Sequence, residues 1–159
     1  MGIRDSVALA LLLVLMACGR GEEASPVGGS LTLEQAEARV KELVEETATA
    51  VLPGHPRTPE PDNDQRTPCM DAVGGFTDER TVRWGVEIDL VGETDERDVI
   101  DRTRSYWESQ GYQVNTNSVE ADPPSLFLVF DGYSFEMLVN ADLGKAFLGG
   151  NTPCIRPES

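Results

Sequence analysis

The side chains that could do chemistry are few in kind: three cysteines, one histidine, and 28 Asp and Glu against 13 Lys and Arg. A Ser-His-Asp or Cys-His mechanism needs a histidine held in place by its surroundings. The sole histidine, His55, stands between Pro53 and Pro56 in a proline-rich stretch, which reads as an exposed side chain. Zinc needs several His or Cys ligands, more than this chain offers. Gly149-Gly150 lacks the downstream Lys-Ser/Thr and the helix of a phosphate-binding loop. Pro61-Asp62-Asn63-Asp64 has the acidic spacing of a calcium loop but not its glycine at position six or its glutamate at twelve, so it reads as a solvated acidic loop. Paired carboxylates can cleave glycosidic bonds, and a carboxylate-dependent glycosidase is the one enzymatic alternative. No catalytic residue, metal ligand or cofactor site is assigned. The net charge of -15 excludes nucleic acid as a partner, because phosphate binding requires clustered Lys and Arg.

Cys18 is different because of what precedes it. Residues 7–17 are apolar without a charged or polar interruption, and end Leu15-Met16-Ala17 directly before Cys18. Such a run is too short to span a bilayer, which takes about 20 residues, but it suits the core of an export signal. The pattern resembles the lipobox of bacterial lipoproteins, in which the cysteine sulfur receives a diacylglyceryl group and becomes the acylated N-terminus after cleavage. That resemblance implies residues 1–17 as a signal peptide, Cys18 as the lipidation site carrying chains such as palmitate, and the outer face of the cell membrane as the address. A plain secretory signal cleaved near Ala17 is the competing reading. Stable anchoring takes more than one acyl chain, at about 0.8 kcal/mol per buried methylene.

With Cys18 acylated, Cys69 and Cys154 remain, and two thiols in an oxidising compartment usually pair. The loop closed is about 86 residues, for which chain entropy gives on the order of 4–5 kcal/mol. Two buried free thiols are the alternative. A Cys-x-x-Cys redox site is absent from the sequence.

The elements that would carry these residues can be placed from patterning. Residues 19–29 are small and polar, a flexible tether with a span of roughly 15–20 Å. Thr32 with Gln35 forms a capping box opening a helix, with Leu33, Ala36, Val40, Leu43, Val44, Thr47 and Val51 on one stripe. Leu52-Pro53-Gly54 ends it. Residues 53–68 hold five prolines, and irregular chain is expected to about Thr77. Val82, Trp84, Val86, Ile88 and Leu90 alternate with polar residues and Gly85 as a half-buried strand. Asp95 caps a second helix with Val99, Ile100, Thr103, Tyr106 and Trp107 inward, and Gly111-Tyr112 closes it before a strand over residues 112–116. Residues 126–130 and 133–139 form a hairpin around Asp131-Gly132, pairing Phe130 with Tyr133, Leu128 with Phe135 and Leu126 with Met137. A last strand covers residues 145–148.

That register turns Phe127, Val129 and Leu138 to the opposite face from Phe130 and Phe135. Either a helix or the proline-rich segment covers this second face, or it is an exposed apolar strip that serves as a binding surface.

The order of parts resembles the LppA-like family of actinobacterial lipoproteins over about residues 31–156: the lipobox, the helix closing on Leu52-Pro53-Gly54, an acidic segment leading to Cys69, a strand, a helix ending at Gly111-Tyr112, an aromatic meander and Cys154. The resemblance implies an extracytoplasmic address and an α+β fold, with no activity and no catalytic residues to carry over. The expected organisation is a signal over residues 1–17, a tether over 18–30 and one α+β domain over 31–157, with an antiparallel sheet of about four or five strands, two amphipathic helices and one disulfide. The expected function is a non-enzymatic lipoprotein, held to the membrane by its anchor, that binds an envelope protein or a cell-wall component. A wall glycosidase and a purely structural lipoprotein are the alternatives. Replacing Cys18 with Ala should abolish fatty-acid labelling and membrane retention while the folded domain survives. Cell fractionation with a fatty-acid probe checks this, and wild-type protein that takes up no label would end the lipoprotein reading.

Overall fold

The computed structural model describes residues 31–92, 95–115 and 118–157. Residues 1–30, with the export signal, Cys18 and the tether, lie outside the described residues, as does Thr116.

The first helix, α1 (Leu33–Val51), starts on the expected capping box: the Thr32 hydroxyl accepts from the Gln35 amide at 3.2 Å, and the Gln35 side chain accepts from the Thr32 amide at 3.0 Å. Its apolar stripe is buried along its whole length. Three strands follow, β1 (Arg57–Pro59), β2 (Arg66–Met70) and the long β3 (Phe76–Asp89). The second helix, α2 (Glu96–Ser109), is capped by Asp95, whose carboxylate accepts from the Arg97 amide. At its other end Gly111 takes φ +84°, the Tyr112 amide donates to the Trp107 carbonyl, and the Gly111 amide donates to the Glu108 carbonyl. This double bond is the Schellman pattern, and it turns Tyr112 back over the helix. The chain ends in β4 (Val114–Asn115), β5 (Ser125–Phe130), β6 (Tyr133–Asn140), a 3-10 turn (Ala141–Leu143) and β7 (Lys145–Asn151).

All strands pair antiparallel in one seven-stranded sheet of order β1-β3-β7-β6-β5-β4, with β2 pairing farther along β3. The β5–β6 hairpin has the expected register, with Phe130 opposite Tyr133, Leu128 opposite Phe135 and Leu126 opposite Met137. Its turn residues Asp131 and Gly132 both have positive φ, as a two-residue hairpin requires.

The sheet is larger than the expected four or five strands, and the proline-rich segment is where the expectation fails. Residues 53–77 are not irregular throughout, because β1 and β2 both pair with β3. Proline loses its donor but keeps its carbonyl, so it is tolerated on edge strands. Pro59 and Pro68 sit in such edge strands, and the Pro56 carbonyl accepts from the Asp89 amide at 3.0 Å. Nor is His55 a free surface side chain. It is half-buried, with Nδ1 2.9 Å from the Asp89 carbonyl oxygen and 3.3 Å from the Val91 amide nitrogen. Between β1 and β2 the Asn63 side chain plugs into the backbone of β3, donating to the Gly85 carbonyl at 2.8 Å and accepting from the Gly85 amide at 2.6 Å. Ion pairs from Arg57 to Glu45 (3.2 Å) and from Arg66 to Glu34 (3.0 Å) tie the segment to α1. The last strand also runs three residues beyond its expected end at Leu148, taking in Gly149 and Gly150.

Both helices pack on one face. Their buried residues form a single core with Trp84, Val86, Ile88, Leu126, Leu128, Met137 and Leu148 from the sheet. Cys69 and Cys154 are disulfide-bonded, with their Cα atoms 6.1 Å apart. The bond joins β2 to the segment after β7, and both of these pair with β3, the latter through an Arg80–Ile155 bridge.

Gly150 sits in the cross-strand row Trp84–Gly150–Phe135 at the centre of the core face. A Cβ there would fall inside the Phe135 ring, which cannot retreat without disturbing its aromatic neighbours. Gly150→Ala should therefore destabilise the protein by about 1–3 kcal/mol, whereas Ala at Gly75, whose nearest neighbour is the exposed Asp71 side chain, should cost far less. Denaturant melts of the two variants check the difference.

Candidate functional site

The face of the sheet opposite the helices is set by alternation. Three cross-strand rows run over it: Glu87–Phe147–Leu138–Ser125, Gly85–Gly149–Glu136–Phe127, and Arg83–Asn151–Ser134–Val129. Phe127, Val129 and Leu138 therefore lie together on this face, as the hairpin register requires. Val129 is 65% exposed, and Phe127 and Leu138 are half-buried. Phe147, which patterning alone left unassigned, stands beside Leu138 and extends the strip. Among the described residues no helix covers this face. The proline-rich arch reaches only its edge, where the Glu60 carboxylate lies over Gly85 and would collide with any side chain there.

Glu60 accepts from Arg83 at two points, Nε at 3.2 Å and a terminal guanidinium nitrogen at 3.0 Å. The same guanidinium covers Gly149, so two side-chain-free positions in adjacent strands let one ion pair lie flat on the sheet. Farther along, Lys145 bridges Glu87 and Asp89. Two open hollows of about 400 and 300 Å³ share Glu60, Arg83 and Phe147 as lining. The face is thus a shallow surface with an aromatic and aliphatic centre, bordered by the Glu60–Arg83 and Lys145–Glu87 ion pairs and by the Glu136 carboxylate, which makes no ion pair among the described residues. Chemically it can pack against an apolar or stacked partner group. Two of the carboxylates beside Phe147, Glu60 and Glu87, are held in ion pairs, and Asp62 accepts from Gln65 at 3.0 Å. Among the described residues no three His, Cys, Asp or Glu side chains converge as a cation site would need.

A second concavity lies on the helical side, where sequence patterning assigned nothing. Tyr112, turned back by the Schellman cap, stacks on Phe130 with ring centroids 4.5 Å apart, and Phe130 stacks in turn on Phe135 at 5.9 Å and Tyr133 at 5.5 Å. Tyr112, Phe130 and Phe135, with Trp107 and Tyr106, line a cavity of about 50 Å³ between α1, α2 and the β5–β6 hairpin. The Trp107 indole N–H donates to the Thr47 hydroxyl at 3.1 Å, which satisfies it inside the wall. Glu46, Gln110 and Tyr106 line both the cavity and an open hollow outside it between the helices, so the cavity opens there. Arg39 also lines it, with its guanidinium 2.6 Å from Glu42. The signal for this site was in the sequence as two helical stripes meeting an aromatic hairpin, but that pattern is indistinguishable from ordinary core until the helices are docked.

No family model and no curated protein matches the chain. Among solved structures the chain is similar to LppA from Mycobacterium tuberculosis, a protein provisionally named a lipoprotein, at 16% identity and TM-score 0.47, covering 79% of this chain and 76% of that one. That likeness is distant, and no residue role, ligand or activity passes through it.

Burial pushes the Tyr106 phenol above its ordinary range, and the negative charge of Glu46 pushes it the same way. Tyr106 should therefore titrate above the usual tyrosine value of about 10. Glu46→Gln should bring it part of the way back, since burial is the larger cause. Following the tyrosine ring signals by NMR through alkaline pH checks this, and an unchanged titration in the variant would place Glu46 away from the cavity mouth.

Proposed function

We propose that this protein is a lipid-anchored, extracytoplasmic binding protein without enzymatic activity, presenting the bare face of its sheet to an envelope protein or a cell-wall component. The observation that carries the reading is the uncovered face itself: Phe127, Val129, Leu138 and Phe147 form one apolar strip on a two-layer fold whose helices both lie on the other side. Exposed apolar strips of this kind mark interaction surfaces. Leu15-Met16-Ala17-Cys18 supports the anchor, and the pairing of Cys69 with Cys154 suits an oxidising compartment. Glu60 and Glu87 are held in ion pairs, which counts against either of them as the protonated acid of a glycosidase.

Placing a photo-crosslinking residue at Val129 in intact cells should capture a discrete protein or wall-fragment adduct. The same probe at Val73, which is 92% exposed on a remote turn, should not. Adding Phe127→Ser to the Val129 probe should diminish the adduct several-fold. Equal, diffuse labelling from both probe sites would leave a structural envelope lipoprotein as the better description.

A further inference from the structure

The turn that joins β2 to β3 carries the three most exposed large apolar side chains among the described residues: Val73 at 92%, Phe76 at 77% and Met70 at 68%. They stand together, because Met70 and Phe76 are cross-strand partners and Val73 lies in the turn between them. The turn is built to hold that display. The Asp71 carboxylate accepts from the Val73 amide at 3.0 Å and from the Gly75 amide at 2.7 Å, and the Asp71 amide donates to the Gly75 carbonyl at 2.8 Å. At its base the Cys69–Cys154 bond ties the hairpin to the chain after β7, and the Arg80 guanidinium donates to the Thr77 and Glu79 carbonyls. An ordered apolar tip of this kind marks a contact site.

Its place in the fold says what it contacts. Arg57, opposite Ile88 of β3, reaches Glu45 and Thr49 of α1, whereas Arg66, opposite Val82, reaches Glu34. The helix and β3 therefore run in the same direction, with the first turn of α1 level with Val82. Phe76 lies six residues before Val82 on β3, which at roughly 3.3 Å per residue is about 20 Å of strand. The tip thus projects past the end of α1 at which the chain from Cys18 arrives. The tether over residues 19–29 has a span of roughly 15–20 Å, which matches that projection. A bilayer holding acyl chains on Cys18 is then within reach of Met70, Val73 and Phe76.

We infer that this tip is a second membrane contact, which seats Met70, Val73 and Phe76 in the interfacial layer of the bilayer that carries the Cys18 acyl chains. The inference rests on the reading of Cys18 as the membrane anchor. Three apolar side chains bind lipid weakly by themselves, and a tether that holds them at the surface supplies the effective concentration they need. Asp78 and Glu79 follow Phe76 by two and three residues and limit the depth, since charged side chains stay out of the hydrocarbon. A second copy of the chain is disfavoured as the occupant, because each copy carries a net charge of -15. With the tip seated, β3 stands up from the membrane, and the strip from Phe127 to Phe147 faces sideways, clear of the lipid.

The test uses the full acylated protein in phosphatidylcholine vesicles, a neutral surface that does not repel an acidic chain. Co-flotation with the vesicles reads the anchor. Val73→Trp reads the tip, through quenching by lipids brominated high in their acyl chains, against the background of the buried Trp84 and Trp107. The comparisons are Val91→Trp, past the far end of β3, and Val129→Trp, on the bare face, both exposed positions. Val73→Trp should add a blue-shifted emission that the brominated lipid quenches, and the other two should add none. Met70→Ser with Phe76→Ser, placed beside Val73→Trp, should cut that added quenching at least about twofold. Protein that fails to float has lost the anchor reading alone. Coupling it through the Cys18 thiol to a maleimide-headgroup lipid repeats the measurement, so the tip is tested in either case. Surface-held protein whose Val73→Trp emission is not quenched overturns the inference. Equal quenching of Val129→Trp also overturns it, because the domain would then lie on its sheet. So does a Val73→Trp blue shift that grows with protein concentration in the absence of vesicles, which would make a second copy the occupant.

Discussion

Backbone pairing along both edges of β3 is the interaction on which the other parts depend. Fourteen residues long, β3 is flanked on one side by β7 and the Ile155 bridge and on the other by β1 and β2. Few of its donors and acceptors are left to water, so the residues it carries are fixed in place. Trp84, Val86 and Ile88 face the helices, while Arg83, Gly85 and Glu87 face outward. The disulfide acts on this same strand, linking two segments that pair with it and restricting the unfolded chain over a loop of about 86 residues. The Asn63 plug serves the same end where strand pairing lapses, its side-chain amide bonding both backbone groups of Gly85 as a neighbouring strand would.

A consequence of that arrangement is a fold with one closed face and one open one. Both helices are spent on the core side, so among the described residues the outer side of β3, β5, β6 and β7 is covered only at its β1 edge. There the Glu60–Arg83 pair lies across Gly85 and Gly149, which keeps charge close to the sheet instead of projecting from it. Such half-exposed pairs contribute little stability. Their effect here is to fix the shape of the surface beside Phe147, so that the apolar strip from Phe147 through Leu138 to Phe127 stands at one border of an ordered polar patch.

How much of this was legible in the sequence follows from which forces are local. The α1 capping box, the Asp95 cap, the Gly111-Tyr112 closure and the Asp131-Gly132 hairpin all depend on residues within a few positions of one another, and patterning places each of them. The hairpin register then puts Phe127, Val129 and Leu138 on one face without further information. The proline-rich strands were not legible, because β1 and β2 exist only through bonds donated and accepted by β3, whose paired residues lie from 6 (Met70 with Phe76) to 31 (Arg57 with Ile88) positions on in the chain. Proline counts say that a segment cannot donate, not that it cannot accept. Gly149 and Gly150 fell outside the expected last strand for a related reason: both are strand positions whose missing side chains make room for Arg83 and Phe135, which lie on other strands.

The aromatic cavity also follows from a non-local requirement. A buried indole N–H without a partner is costly, and Trp107 meets that need with the Thr47 hydroxyl on the facing helix. Threonine at that point of the α1 stripe is smaller than the leucine or isoleucine that would fill the space beside Tyr106 and Leu43. At about 24 cal/mol per Å³, unfilled volume of this size costs on the order of 1 kcal/mol, a cost set against the bond that orients Trp107. The cavity is thus tied to the hydrogen bond that holds one of its own walls. Filling it with a larger residue at Thr47 would remove the acceptor on which that wall depends, so the space and its aromatic lining persist or are lost together.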